Sequence, residues 1–308
     1  MILTVTINPA VDRNVSVDRL VFDDRAYILA TGDAPGGRGI IASRVLHAFG
    51  SKTLAILVSG GKTGAKLEKL LTGAGFPFEA VPIEHEIRTN LTISDQQGLT
   101  AKLNEQGPPI SEKELARLED AVASKLDKAS WLMLCGSIPP TVAPDFYRKL
   151  IVKARERNVK TLLDTDGDPL LYGIEAGPTV VKPNQQEAER LLNRALITRA
   201  HFRDAVERMK ALGAQNVILS LGSRGAMAAS EDRILEVLPP RIDALCPIGS
   251  GDAEAAAFVW AQTKKKDFAD SVRWGVAAGT ASARLPGTNF AGMAQVKEVY
   301  RSTEVRDM

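Results

Sequence analysis

The segment CPIGSGDAEAAAFVWA, residues 246–261, places a glycine-rich turn directly before a run of apolar helix formers. Gly249 and Gly251 flank Ser250, so the backbone of the turn can approach a ligand without a Cβ atom in the way. The run that follows predicts a buried helix, and the free N–H groups at its start favour an anion. The segment therefore indicates an anion site at a helix start. The alternative is a plain turn in which Asp252 is only the helix N-cap.

The composition is that of an ordinary globular protein, and it excludes several classes of function. The 308 residues are 44% hydrophobic and 25% charged, and 39 basic against 37 acidic side chains leave a net charge of +2. This charge is too small for a general nucleic-acid-binding surface, and no apolar run approaches the ~18 residues of a membrane span. Two cysteines without metal or redox partners nearby, and no basic leader, predict a cytoplasmic protein.

Apolar, β-rich runs alternate with helical patterns along most of the chain. The predicted strands are ILTVTI (2–7), TLAILV (53–58), WLMLC (131–135), KTLLD (160–164), TVVK (179–182) and NVILSL (216–221). Helical stretches such as 111–127 and 143–157 separate them. This alternation predicts an α/β fold, with a mostly parallel sheet and helices on both faces.

Two half-polar segments, residues 12–30 and 87–104, interrupt the alternation of strands and helices. They contain NVSVDRLVF and RTNLTISDQQGLTAKL, the second with a turn at DQQG. Strands of this kind need a surface to cover with one face, so they predict a small β-sheet lid over the core. We expect a single domain over residues 1–308 that carries this lid.

Several short motifs follow directly after the predicted strands. They are NPAVDR after the first strand, GSIPP after WLMLC, KPNQQE after TVV, and LGSRG after NVILS. A further glycine-rich segment, PGGRG at 35–39, opens a helix. In doubly wound sheets ligands bind beyond the carboxyl ends of the strands, so these motifs predict one shared ligand site there.

In order and spacing, these motifs resemble the ribokinase-like carbohydrate kinases, in the branch that contains 1-phosphofructokinase and tagatose-6-phosphate kinase. The resemblance extends over about residues 1–290 and includes TVTINPAVDR, PGGRG, RTN, LNEQGP, GSIPP, KPNQQEAE, SLGSRGA and PIGSGDA. It implies phosphoryl transfer from Mg-ATP to a sugar hydroxyl. It also implies a four-stranded lid that closes over the sugar and often pairs two subunits, so we expect a homodimer.

For the opening segment, the resemblance implies a catalytic role. Asp252 matches the catalytic base, and the N–H groups of Gly249, Ser250 and Gly251 match the anion hole for the transferring phosphate. A loose phosphoryl transition state needs mainly positioning and electrostatic stabilisation, which amides fixed at a helix start provide. The helix start also favours the ionised carboxylate, so we expect Asp252 to be deprotonated at neutral pH.

The resemblance assigns a second group of residues to ATP and its metal ion. These residues are Lys182, Asn184, Glu187, Ser220, Gly222 and Gly225. Asn184 and Glu187 are expected to organise the phosphates and Mg²⁺, commonly through water, because magnesium keeps several of its water ligands. Without the resemblance, Asn184 is equally well explained as a helix N-cap, and the glycines as an ordinary turn.

A third group is assigned to the acceptor sugar. It comprises Asp12, Gly36, Gly37, Arg38, Arg88, Asn90 and Ser137. Asp12 is expected to accept hydrogen bonds from sugar hydroxyls. Arg38, Arg88, Asn90 and Ser137 are expected around the phosphate that the substrate already carries, since guanidinium groups match phosphate oxygens. The alternative for Arg88 is a surface cation on a lid strand.

Five positions depart from the family pattern, one of them Arg38, where the family usually has Lys. Ile41 stands where the family has an Asn that binds the sugar, and an apolar side chain cannot replace its hydrogen bonds. Lys102, Glu105 and Thr141 also differ from the usual residues. The identity of the sugar therefore stays open.

Three functions are compatible with these patterns. The first is a kinase that converts a ketohexose phosphate, fructose 1-phosphate or tagatose 6-phosphate, into a bisphosphate. The second is a kinase of an unphosphorylated sugar or nucleoside, against which Arg38 and Arg88 argue, because buried cations without an anionic partner are costly. The third is a catalytically weak sugar-phosphate-binding protein. The intact GSGD segment disfavours it.

Overall fold

A ten-stranded sheet forms the centre of the protein in the computed structural model, which describes residues 1–231, 233–285, 287 and 289–308. Its strands are β1 (Ile2–Thr6), β4 (Thr53–Ser59), β5 (Phe78–Pro82), β8 (Trp131–Cys135), β9 (Lys160–Asp164), β10 (Val180–Val181), β11 (Asn216–Ser220), β12 (Ala226–Ala229), β13 (Ile234–Leu238) and β14 (Glu304–Asp307). Their spatial order is β14-β13-β12-β11-β10-β9-β8-β1-β4-β5. In this spatial order, the seven strands β11, β10, β9, β8, β1, β4 and β5 pair in parallel. The sheet continues beyond β11 with β12, β13 and β14, which pair antiparallel.

Helices cover both faces of this sheet. They are α1 (Arg38–Ala48), α2 (Gly61–Ala74), α3 (Glu112–Leu126), α4 (Phe146–Glu156), α5 (Gly167–Glu175), α6 (Gln185–Leu192), α7 (Arg199–Ala211), α8 (Ser250–Thr263), α9 (Phe268–Ala283) and α10 (Met293–Arg301). Strand residues alternate between two apolar cores: Leu132 and Leu134 contribute to the core under α2–α7, whereas Trp131 and Met133 contribute to the core under α1 and α8–α10. This alternation follows from the period of two in a strand whose two faces are both buried.

A separate four-stranded sheet is formed by β2 (Ala10–Val17), β3 (Ile28–Gly36), β6 (Arg88–Asp95) and β7 (Thr100–Asn104), in the order β3-β2-β6-β7. Strands β2 and β6 pair in parallel, and each forms an antiparallel pair with the strand that follows it. The small sheet that was predicted as a lid is therefore present. Its first bounds were wrong: β3 extends to Gly36, beyond residue 30, and residues 18–27 lie outside the strands.

All six predicted core strands are present, and the two predicted helical stretches contain α3 and α4. The antiparallel strands β12–β14 had not been predicted, because AMAA and ILEVL are too short to distinguish from loop segments. Among the described helices, none combines the length and the apolar character needed to cross a membrane. The carboxyl ends of the parallel strands carry the motifs of the candidate site.

Candidate active site

The turn before α8 has the backbone conformation that its glycines predict. Gly249 is the N-cap with φ 79°, in the left-handed region that glycine adopts without strain. Asp252 is the third residue of the helix, so the alternative in which it serves as the N-cap is wrong. The Ser250 N–H donates to Pro247 O at 3.2 Å, so one of the three predicted anion-hole amides already has a partner.

Asp252 lies among buried charges. Burial raises the pKa of its carboxyl to about 7, and the negative charge of Asp164 adds to the rise, whereas Arg38 and Lys182 oppose it. Asp12 is a weaker negative neighbour. Burial and the Asp164 carboxylate oppose the expectation that Asp252 is deprotonated at neutral pH, since both raise its pKa.

A network of ion pairs joins side chains from α1, β9 and α6 with Lys182, which follows β10. Arg38 donates to Asp164 Oδ1 at 2.8 Å and to Glu187 Oε1 at 2.9 Å, and Lys182 Nζ lies 3.1 Å from Asp164 Oδ2. Arg38 therefore already has two carboxylate partners, which corrects the view of it as a cation that needs a phosphate. Lys182 is buried beneath the start of α8 rather than along a surface groove.

Asp164 is the central residue of this network, and the sequence reasoning missed it. It is the last residue of β9 and is buried at 3% exposure. Attraction by Lys182 and Arg38 keeps its pKa below the ordinary value, although burial alone would raise it. The sequence contains a pattern that could have identified Asp164. The segment KTLLD is an apolar strand that ends on a carboxylate, at the sheet edge where ligands bind.

Asn184 and Glu187 form a reciprocal cap at the start of α6. Asn184 Oδ1 accepts from the Glu187 N–H at 2.9 Å, and Glu187 Oε2 accepts from the Asn184 N–H at 2.8 Å. The N-cap alternative for Asn184 is thus confirmed. Both Glu187 oxygens have protein partners, the second being Arg38, but each retains a lone pair for a water ligand.

A cavity of about 1260 Å³ opens at the start of α8. Its lining includes Gly222, Pro240, Leu245, Ser250 and Gly279, so it reaches from the loop after β11 to the start of α8. Gly222 and Gly225 both have positive φ angles, of 61° and 85°. The Ser220 hydroxyl faces Pro183 O at 3.5 Å. Of the residues predicted along the nucleotide, Gly222 lines this cavity.

The predicted acceptor residues meet at the base of the lid. Asn90 Nδ2 donates to Asp12 Oδ1 at 2.9 Å, and Arg88 donates to the carbonyl oxygens of Glu105 and Asn8 at 2.8 and 3.0 Å. Asn8, which had not been singled out, also donates to Ser137 Oγ at 3.1 Å. Strand register explains the first contact, because Asp12 and Asn90 are direct partners across β2 and β6.

Three buried polar atoms of this acceptor cluster have no hydrogen-bond partner in the described part of the chain: Asn8 Oδ1, Arg88 Nε and Asn90 Oδ1. Buried polar groups are normally paired, so unpaired ones mark places where a polar ligand fits. Within the described residues, no carboxylate lies within 4 Å of the Arg88 guanidinium. Burial lowers the pKa of Arg88, although Asp12 and Glu105 oppose that effect.

Gly36 and Gly37 allow the backbone to pass close to the acceptor cluster. A Cβ atom at Gly36 would collide with the Asp12 carboxylate, and Gly37 has φ 123°. Ile41 is buried on α1, and its methyl groups lie 3.8 and 4.0 Å from the position of a Cβ on Gly249. Ile41, which stands where the family has Asn, therefore borders the anion turn itself.

Comparison with known proteins shows a clear family match. A family model described as pfkB family carbohydrate kinase matches residues 6–294. The chain is 31% identical over 309 residues to a 1-phosphofructokinase of Borreliella burgdorferi, which covers 100% of this chain and 99% of that protein. It is 32% identical to an ATP-dependent 6-phosphofructokinase isozyme 2 of Mycobacterium tuberculosis, with 93% and 85% covered.

Solved structures agree. A crystal structure of phosphofructokinase-2 from Escherichia coli in complex with potassium has a TM-score of 0.91 and 28% identity, over 97% of this chain and 98% of that one. Arabidopsis thaliana ribokinase, at 18% identity, has a TM-score of 0.78 over 97% and 98% of the two chains, which concerns the fold alone. The predicted ribokinase-like architecture is confirmed.

Proposed function

Because the chain belongs to the pfkB family of carbohydrate kinases, phosphotransferases with an alcohol group as acceptor, we propose that it transfers the γ-phosphate of ATP to a ketohexose phosphate. The acceptors proposed are fructose 1-phosphate and tagatose 6-phosphate, and the product is a bisphosphate. The observation that carries this proposal is the position of Asp252, whose carboxyl interacts with Asp12 of the acceptor cluster and with the cations beneath the α8 turn.

Asp252 is the proposed general base. Its carboxylate accepts the proton of the acceptor hydroxyl while that oxygen attacks the γ-phosphorus and the bond to the ADP oxygen breaks. A carboxyl with a pKa of about 7 is better matched to this task at neutral pH than an ordinary aspartate. The amides of Gly249 and Gly251, at the start of α8, receive the negative charge of the transferring group.

Arg88 is the proposed partner of the phosphate that the acceptor already carries. Arg88 is half-buried, and among the described residues its Nε has no hydrogen-bond partner and its guanidinium has no carboxylate within 4 Å. Arg38 is engaged by Asp164 and Glu187, so we assign it to the transfer site rather than to this phosphate. The 6-phosphofructokinase among the relatives adds fructose 6-phosphate as a candidate acceptor.

Magnesium fits this site through water. Glu187 is the residue that would hold it, since each oxygen already accepts one protein hydrogen bond and has a further lone pair. When bound with ATP, the ion neutralises phosphate charge. Direct coordination by Glu187 would compete with its pairing to Arg38.

The remaining alternatives are a kinase of an unphosphorylated sugar or nucleoside and a weak sugar-phosphate-binding protein. Arg38 no longer argues against the first, because it has carboxylate partners, but Arg88 still does. ADP release with Mg²⁺ and a panel of free and phosphorylated sugars and nucleosides separates the three. We expect release only with ketohexose phosphates, and equal rates with free fructose and its phosphates would overturn the proposal. Tight binding of a sugar phosphate without ADP release would support the third function.

A further inference from the structure

Glu254 is a buried acid that the proposed transfer reaction does not use. It lies on α8 in the run AEAAAFV and is 8% exposed, and its buried Oε1 atom has no hydrogen-bond partner among the residues that the structure describes. An unpaired carboxylate inside a protein is costly, and the neighbours of Glu254 on the helix are apolar. Its presence there suggests a use other than packing.

The helix geometry places Glu254 on the face that carries the anion turn. Residues three and four apart share a helix face, so Glu254 follows Gly251 and Ser250 by one turn and does not share the face of Asp252. The Ser250 hydroxyl is also buried and unpaired, and Ser250 lines the cavity. Glu254 therefore lies one helical turn, about 5.4 Å along the helix axis, beyond the residues of the anion turn.

Lys182 lies against the same face. A Cβ atom on Gly251 would be 3.6 Å from Lys182 Nζ, and that ammonium group is 3.1 Å from Asp164 Oδ2. The Lys182 charge attracts an ionised Glu254, and Asp164 repels it. Three acids thus attract the charge of Lys182: Asp164, which is paired with it, and Glu254 and Glu187, which lie nearby.

Among the described residues, Lys182 and Asp164 are the charged groups that act on Glu254. From α9, Gly275 and Gly279 face it: Cβ atoms there would lie 3.3 Å from Glu254 Cγ and 3.4 Å from Glu254 Cβ. Helix α1 also packs on α8, but Arg38 is held by Asp164 and Glu187. The other basic groups of α1 lie near aromatic rings: Arg44 over Phe290, and His47 beside Phe76.

We propose that Glu254 takes up a proton when a phosphate group binds at the start of α8, and so leaves the charge of Lys182 to that phosphate. Glu254 is then a positioning residue that acts through Lys182. The step forms one O–H bond, with the proton supplied by the solvent. The inference rests on the proposed function, because it places a nucleotide phosphate at this turn.

The electrostatic reason is direct. Burial raises the pKa of Glu254 to about 7, so the group is part ionised at neutral pH before the ligand binds. A phosphate one turn away adds negative charge in a region of low dielectric, which raises this pKa further. Protonation and phosphate binding therefore favour each other, and affinity falls by up to about tenfold per pH unit as pH rises above 7.

Calorimetry with a non-hydrolysable imido analogue of ATP and Mg²⁺ tests this. Asp252 changes protonation in the same pH range as Glu254, so the Asp252→Asn protein is the reference. Its calorimetric titration with the analogue in two buffers of different ionisation enthalpy gives the number of protons taken up at pH 7.5. We expect uptake of roughly half a proton or more. The Asp252→Asn, Glu254→Gln double variant should lose that uptake and bind several-fold more tightly at pH 8.5.

A matched control is Asp252→Asn with Glu236→Gln, which alters another buried glutamate, paired with Arg199. It should retain the uptake. Equal proton uptake with and without the Glu254 substitution would overturn the proposal. The absence of proton uptake in the Asp252→Asn protein would also overturn it, and that result does not depend on how the double variant folds. No binding at any pH would overturn the proposed function as well.

Discussion

Asp252 has the position and surroundings of a base rather than of a helix cap. Because Gly249 is the N-cap, Asp252→Asn leaves the cap intact while it removes the proton acceptor. We expect kcat to fall by ~10²–10⁴, with nucleotide affinity retained. In the parent, kcat/KM should rise with pH until Asp252 has ionised near pH 7. A kcat within a few-fold of the parent would exclude the base.

The same carboxyl gives a stability prediction with a definite sign. Its folded-state pKa is raised, so the folded state binds the proton more tightly, and stability falls as pH rises from about 4 to about 7. Asp252→Asn removes this loss. Thermal unfolding should show the variant gaining on the parent between pH 5 and pH 8. A constant difference over this range would contradict the raised pKa.

Substitution of Arg88 should change the KM for the acceptor and leave the KM for ATP nearly unchanged. Arg88→Ala removes a charge-assisted contact to phosphate worth ~1.5–3 kcal/mol, so the acceptor KM should rise about 10- to 150-fold while the ATP KM hardly changes. Arg13→Ala is the control, since Arg13 lies on neighbouring strand β2 but is half exposed and paired with Asp33. Steady-state kinetics give the KM values for the acceptor and for ATP in both variants. Equal increases in the two KM values for Arg88→Ala would disprove the assignment.

At the level of elements, strand β3 offers a paired test of the acceptor site. Gly36→Ala would push a methyl group into the Asp12 carboxylate, whereas Gly32→Ala, in the same strand, meets no atom within 4 Å. We therefore expect a large rise in acceptor KM for the first variant and near-parent kinetics for the second. Similar kinetics for both would show that Asp12 does not bind the sugar.

The order of the elements was predictable, whereas the contacts between them were only partly so. Buried parallel strands such as WLMLC are continuous apolar runs, and glycine turns identified the anion site. The partners of Arg38 were not predictable, because Asp164 and Glu187 are 126 and 149 residues away in sequence. Glu254 was hidden for another reason: a single acid in an apolar helix resembles an ordinary surface position until burial is known.

On the scale of the whole molecule, the lid supports the predicted homodimer. Strand β3 begins with exposed apolar residues, Ile28 at 64% and Leu29 at 52%, and Leu103 on β7 is 59% exposed. Exposed apolar groups on one small sheet favour pairing with a second copy. Sedimentation at micromolar concentration should give a dimer, and Leu29→Asp should shift it toward monomer. A monomeric parent would contradict this.

The parallel pairing of β2 with β6 also determines when the lid can form. These strands come from two separate excursions of the chain, and β4, α2 and β5 lie between them in sequence. Pairings between distant segments form slowly, because the entropy of closing the intervening loop is lost before the contacts are gained. During synthesis the first lid hairpin therefore waits for residues 88–104. Until those residues emerge, the edge of β2 that pairs with β6 has no partner strand.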